Sequence, residues 1–327
     1  MIFIDRLIER IIETKNPSVV GLDTAIGFVP KGLRDVCDEE FGSGAHSDAE
    51  AIYRFNRIVI DSVKDIVPAV KPQIAFYELY GQYGASAFIR TAKYARDCGM
   101  IVIADAKRGD IGSTAAAYAD AFLSGADVDK KPESALYFAD AMTVNPYLGI
   151  DGVAPFIDNC KKNGKGIFVL VKTSNPSSGD FQDLDLSGGK KLYEQVAEKV
   201  EEWAKGEGLV GGYGYSSVCA VVGATYPEQA RALRERVRKL FFLVPGYGAQ
   251  GGGAEDAAAA FDAAGLGAIV NASRSVLCAW KHERWGGKFG HDDFGEAARA
   301  EALRMRGEIN QAIGATGGLP SAPTNSG

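Results

Sequence analysis

The 327-residue sequence has little histidine. Its three histidines (His46, His282, His291) are scattered along the chain, too few and too far apart to suggest a zinc site. Its five cysteines (Cys37, Cys98, Cys160, Cys219, Cys278) are odd in number and include no C-x-x-C pair, so reduced thiols are expected rather than a disulfide framework. Cys219 lies in an apolar run and reads as core. No stretch of about 18 apolar residues occurs, so no membrane span is expected. The first 15 residues have the pattern of an amphipathic helix carrying Asp5, Glu9 and Glu13, where a signal peptide would have a basic start and an unbroken apolar segment. A basic face is lacking too: the net charge is −6 and the pI about 5.3, which excludes duplex nucleic acid as an expected partner but not a small anion in a local basic pocket. With 46% hydrophobic and 24% charged residues, the composition is that of an ordinary globular protein, expected in the cytoplasm.

What the chain has in place of these is repetition. Short apolar runs recur at 18–23, 69–75, 100–107, 140–145, 166–173, 217–225, 240–246 and 267–273. They are continuous rather than alternating, as parallel strands covered by helices are. Helical periods fill the spaces between them, at 48–66, 85–98, 113–124, 150–162, 189–205, 227–239, 254–264 and 293–313. In the first of these, Ile52, Phe55, Val59, Ser62, Val63 and Ile66 form one stripe. Eight strand–helix units predict an α/β protein with a closed (β/α)₈ barrel of parallel strands, an extra N-terminal helix and long strand-to-helix insertions. A doubly wound open sheet is the alternative. The barrel is expected to occupy residues 1–314 as one domain, with 24–47, 125–138, 174–188, 206–216 and 281–292 as long connections. The small, polar tail 315–327 is expected to be disordered.

In such a barrel the active site lies at the C-terminal ends of the strands. Polar residues collect there: Asp23 after the first strand, Lys71 on the second, Asp105, Lys107 and Asp110 on and after the third, and Asn145 after the fourth. Lys172, Thr173 and Ser174 end the fifth, Pro245 ends the seventh and leads to Gln250, and Asn271, Ser273 and Arg274 end the eighth. Asp105 and Lys107 are two apart in a strand, so both can face the interior. A lysine held among carboxylates keeps its proton, and beside a reacting carbon it can donate that proton and stabilise a carbanion. The competing reading is a structural ion-pair cluster, which Asp110 and Lys71 nearby make less favoured. The glycine-rich segment 245–253 and the segment 271–276 follow the strands whose loops commonly hold phosphate in this fold, and Arg274 can add a bidentate contact. Asp23 and Ser174 could instead serve as strand-end and turn chemistry, and Asn145 reads as a turn. Arg108 faces away from Lys107 in an extended chain and suggests a structural or interface role.

The run Asp105-Ala-Lys107-Arg-Gly-Asp110-Ile111-Gly-Ser-Thr114 resembles the D-x-K-x-x-D-I-x-x-T signature of orotidine 5′-phosphate decarboxylases. Gly21-Leu22-Asp23, Lys71-Pro72, Thr173-Ser174-Asn175-Pro176, Pro245 to Gln250, and Ser273-Arg274 follow in the family's order, so the resemblance covers about residues 18–276. The long insertions resemble the larger, type 2-like branch. The resemblance implies a cofactor-free, metal-free conversion of orotidine 5′-monophosphate to UMP and CO₂ in pyrimidine biosynthesis, within a homodimer whose active sites are shared. It implies a charged tetrad of Lys71, Asp105, Lys107 and Asp110, with Lys107 protonating carbon 6 and Asp105 against the substrate carboxylate. It further implies Asp110, Ile111 and Thr114 reaching into the partner's site, Asp23 and Lys71 at the ribose, Ser174 at the pyrimidine amide edge, and Pro245, Gln250, Ser273 and Arg274 around the phosphate. The competitors are a magnesium-dependent sugar-phosphate decarboxylase or aldolase of the same barrel group, a lysine Schiff-base aldolase, and a non-catalytic nucleotide-binding barrel.

Overall fold

In a computed structural model, residues 1–125, 137–248 and 251–314 are described. The expectations for 126–136, for Gln250 and for the tail 315–327 lie outside them. The described chain alternates strand and helix around a closed barrel in which each strand pairs in parallel with the next and the eighth pairs with the first. The strands are β1 (Ser18–Leu22), β2 (Ala69–Pro72), β3 (Ile101–Arg108), β4 (Ala141–Val144), β5 (Gly166–Lys172), β6 (Val218–Val222), β7 (Phe242–Val244) and β8 (Ala268–Ala272). All eight apolar runs are therefore strands, seven of them shorter than the run, while β3 is displaced by one residue and ends at Arg108.

Alternation along these strands divides the core in two. Val20, Val70, Val102, Met142, Val169 and Val270 point outward into the layer shared with the helices. Val19, Ala69, Ile103, Phe168, Cys219 and Ile269 point inward. The chain opens with α1 (Phe3–Thr14), and the outer layer is covered by α2 (Lys31–Phe41), α3 (Ala45–Val63), α4 (Ala75–Glu78), α5 (Gly81–Asp97), α6 (Gly112–Leu123) and α7 (Ile150–Asn163). It continues with α8 (Gly179–Gln182), α9 (Leu192–Trp203), α10 (Pro227–Arg236), α11 (Ala254–Ala258), α12 (Arg274–Leu277) and α13 (Phe294–Ala312). Of the stripe predicted in the first long helix, Ile52, Phe55, Val59 and Val63 are buried within α3, Ile66 is buried just beyond its end, and Ser62 is only half-buried.

The N-terminal helix works as a plug. Phe3, Ile4, Leu7, Ile8 and Ile11 of α1 join the inward-facing strand residues in one cluster at the N-terminal end of the barrel. Phe3 lies directly over Gly166, where a Cβ would come within 2.0 Å of its ring, and meets Phe168 edge-on at 6.0 Å. The opposite end stays open.

Several boundaries depart from the sequence reading, two of them by the most. The connection 24–47 contains α2, whose apolar residues are sparse: only Cys37 is buried, so no stripe announces it. The helix predicted over 254–264 stops at Ala258. Asp262 accepts the backbone N–H groups of Ala264 and Leu266, both at 2.9 Å, a local turn that competes with continuing the helix.

Candidate active site

The open end of the barrel holds a cavity of about 560 Å³. Its floor is divided by strand. Over β2–β4 it is polar, with Lys71, Asp105, Lys107 and Thr143; over β5–β7 it is apolar, with Leu170, Val221 and Leu243. Asp105 organises the polar half. Its Oδ2 accepts from Lys71 Nζ at 2.7 Å, and its Oδ1 accepts from Lys107 Nζ at 2.6 Å and from Thr143 Oγ1 at 3.0 Å. Thr143 in turn accepts the backbone N–H of Lys107 at 2.9 Å, so β4 fixes both the carboxylate and the lysine that follows it. Asp23, at the end of β1, lies 3.6 Å from Lys71 Nζ.

The two buried members of this group hold each other charged. Burial alone would neutralise Lys71, but the carboxylates of Asp105 and Asp23 outweigh it and raise its pKa above the ordinary lysine value. Burial likewise disfavours the Asp105 carboxylate, and Lys71 and Lys107 outweigh it, holding the carboxyl far below its usual range. The Lys107 side chain is 46% exposed, open to the cavity and to water. Its backbone has φ of 47°, left-handed and uncommon for a side chain this large, and the pairing of β3 with β4 shifts register between Ala104 and Arg108. Simple strand alternation predicted that Lys107 would meet Asp105. The meeting occurs, but through a distorted strand end, and backbone strain of this kind gathers at functional sites.

Of the residues predicted from the sequence, Asp23, Lys71, Asp105, Lys107, Ser174, Pro245, Ser273 and Arg274 line this one cavity. Asp110, Ile111 and Thr114 do not. They lie on the rim at the start of α6, where Asp110 Oδ1 accepts the Ile111 N–H at 2.8 Å and Ile111 is 55% exposed. Asn145 is turn chemistry, accepting the Tyr147 N–H at 3.0 Å. Arg108 pairs with Glu78 and reaches over the Tyr118 ring, a structural role as expected. The glycine-rich segment is shaped by Gly246, Gly248 and Gly251, all at positive φ, and Tyr247 ties it to α13 by donating to Glu308 at 2.9 Å. Thr143 was missed. It lies two residues before Asn145 on an eight-stranded scaffold, so the same alternation that selected Asp105 and Lys107 could have found it. Phe28, Gln73 and Phe76 also line the cavity: Gln73 follows directly on β2, Phe76 sits in the single turn of α4, and Phe28 in a short turn after β1, segments too brief to show a period.

Fold and site together define a class: a (β/α)₈ barrel enzyme with a lysine–aspartate–lysine network at the strand ends and two loops suited to phosphate. A family comparison narrows this, matching residues 48–284 to the orotidine 5′-phosphate decarboxylase / HUMPS family. The "Orotidine 5′-phosphate decarboxylase" of Rhodopirellula baltica is 44% identical over 94% of this chain and 99% of its own. That of Caldicellulosiruptor bescii is 41% identical over 95% and 99%. Among solved structures, the Leishmania donovani OMP decarboxylase has a TM-score of 0.71 at 30% identity, covering 96% of this chain and 99% of that one. The chain spans 57% of the Leishmania donovani UMP synthase, with a TM-score of 0.72 and 31% identity. This chain belongs to the orotidine 5′-phosphate decarboxylase family.

Proposed function

We propose that the chain removes CO₂ from orotidine 5′-monophosphate to leave UMP, with Lys107 as the proton donor. The observation that carries this is the Lys71–Asp105–Lys107 network at the mouth of the barrel. When the bond from carbon 6 to the carboxylate breaks, its electron pair stays on carbon 6 and CO₂ departs. The Lys107 ammonium stabilises that charge and transfers its proton to carbon 6, and its exposure lets water restore the proton. Asp105 holds Lys107 in place and faces the leaving carboxylate. The apolar floor of Leu170, Val221 and Leu243 removes water from part of the site, and that strengthens every charge interaction within it. Ser174 takes the pyrimidine amide edge, Asp23 and Lys71 the ribose hydroxyls, and Pro245, Gln250, Ser273 and Arg274 surround the phosphate. Every group in the step belongs to the chain itself.

Asp110, Ile111 and Thr114 belong to the neighbouring site of a homodimer. Support comes from the rim, where Ile111, Tyr147 (88% exposed), Leu148 and Ile150 form an apolar surface. The loop before α6 packs against the start of α7 at Gly152, where a Cβ would come within 3.1 Å of both the Asp110 carbonyl and Leu148. The proposed setting is the cytoplasm, whose reducing conditions suit the five unpaired cysteines.

The test is to mix purified protein with orotidine 5′-monophosphate in EDTA, follow the ultraviolet absorbance, and quantify UMP. One UMP per substrate consumed is expected. If folded protein leaves the substrate untouched but turns over a sugar phosphate on addition of magnesium, the competing reaction of the barrel group takes its place.

A further inference from the structure

Lys172 ends β5 as a fully buried lysine that does not face the cavity. A register shift between Leu170 and Lys172 turns it outward and leaves Thr173, Ser174 and Asn175 to line the cavity. Outside the barrel, its Nζ donates to both carboxylate oxygens of Asp183, at 2.8 and 2.9 Å, and to Ser178 Oγ at 3.3 Å. The rings of Tyr226 and Tyr193 lie 4.6 and 5.5 Å away. Next to Asp183, Gln182 clamps the cavity segment: its Oε1 accepts the Thr173 N–H at 2.9 Å and its Nε2 donates to Thr173 Oγ1 at 2.8 Å. Thr173 Oγ1 then donates to Asn175 Oδ1 at 2.7 Å. The back of Ser174 rests on Gly223, where a Cβ would come within 2.9 Å of it.

We infer that Lys172 and Asp183, acting through Gln182, form a latch that positions Thr173, Ser174 and Asn175 against the nucleobase. They are positioning residues for the proposed decarboxylation, on which this inference rests, and neither touches substrate. An ion pair with one fully buried member adds little net stability compared with an apolar replacement, but it holds one geometry. Here that geometry is the 15-residue connection 174–188, which would otherwise have many arrangements over the cavity.

The two partners are unequal in a useful way. Asp183 is 33% exposed and Lys172 is not exposed at all. Lys172→Met therefore leaves behind a carboxylate that water can reach and places an apolar chain among tyrosines, whereas removing Asp183 would strand a buried charge. Gln182→Ala cuts only the clamp, and keeps the test sound should Lys172→Met fold poorly. For both variants, binding of UMP and of ribose 5-phosphate is measured, together with KM and kcat for orotidine 5′-monophosphate. UMP binding and kcat/KM are expected to fall by about tenfold to a hundredfold, as for a misplaced contact. Ribose 5-phosphate, which lacks the base, should bind within about twofold of the wild type, and Lys172→Arg should recover part of the loss. UMP binding unchanged in both variants, or both ligands weakened equally, overturns the latch. A wild type that binds UMP but does not decarboxylate overturns the reaction instead, and the two binding measurements still judge the latch.

Discussion

Asp105 accepts three hydrogen bonds, from Lys71, Lys107 and Thr143, and that crowding fixes how the site responds to pH. Its folded pKa lies below the unfolded value of about 3.9, so its contribution to stability is present above about pH 4 and is lost as pH falls toward the folded pKa. Lys71 is displaced in the opposite sense. Its contribution is complete below the unfolded value of about 10.4 and is lost as pH rises through the higher folded one. Thermal unfolding should therefore give a melting temperature set by these two groups that is level from about pH 5 to 9 and falls on either side. A Lys71→Met/Asp105→Asn double variant should have shallower flanks. Equal flanks in both proteins would show that the pair does not hold these charges.

Most elements were legible because one periodicity governed each of them. The strands announce themselves as continuous apolar runs, and α3 by its buried stripe. Legibility ended where tertiary contacts overrode local pattern. α2 buries only Cys37 and so resembles a polar loop. At the end of β5, alternation should have sent Lys172 into the cavity, but the register shift sends it to Asp183 on a connection with no period of its own. The candidate site was legible to the extent that strand ends carry it. Asp23, Lys71, Asp105 and Lys107 were found, and Phe28 and Phe76 were not, because the single helical turns that carry them are too short to show a period and are placed by packing.

At the scale of the molecule, α1 closes one end of the barrel, and the cavity and the apolar rim share the other. One subunit's cavity contains Lys107 but not Asp110. This separation suits an isologous dimer in which each rim completes the other's site. Lys107→Ala and Asp110→Ala variants, each inactive alone, should regain about a quarter of wild-type activity when mixed and allowed to exchange, since half the dimers would be mixed and carry one intact site. No recovery, with exchange verified, would place Asp110 in its own subunit's chemistry or outside the chemistry altogether.

The central claim is that Lys107 delivers the proton to carbon 6. Its direct measurement is single-turnover decarboxylation by Lys107→Ala, with UMP binding measured on the same preparation. The expected result is a loss of at least about a thousandfold in the chemical step, within the range of general acid catalysis, while UMP still binds and Asp105 keeps Lys71 as its partner. A variant that decarboxylates within about tenfold of the wild type would contradict the assignment and require another proton donor at the reacting carbon.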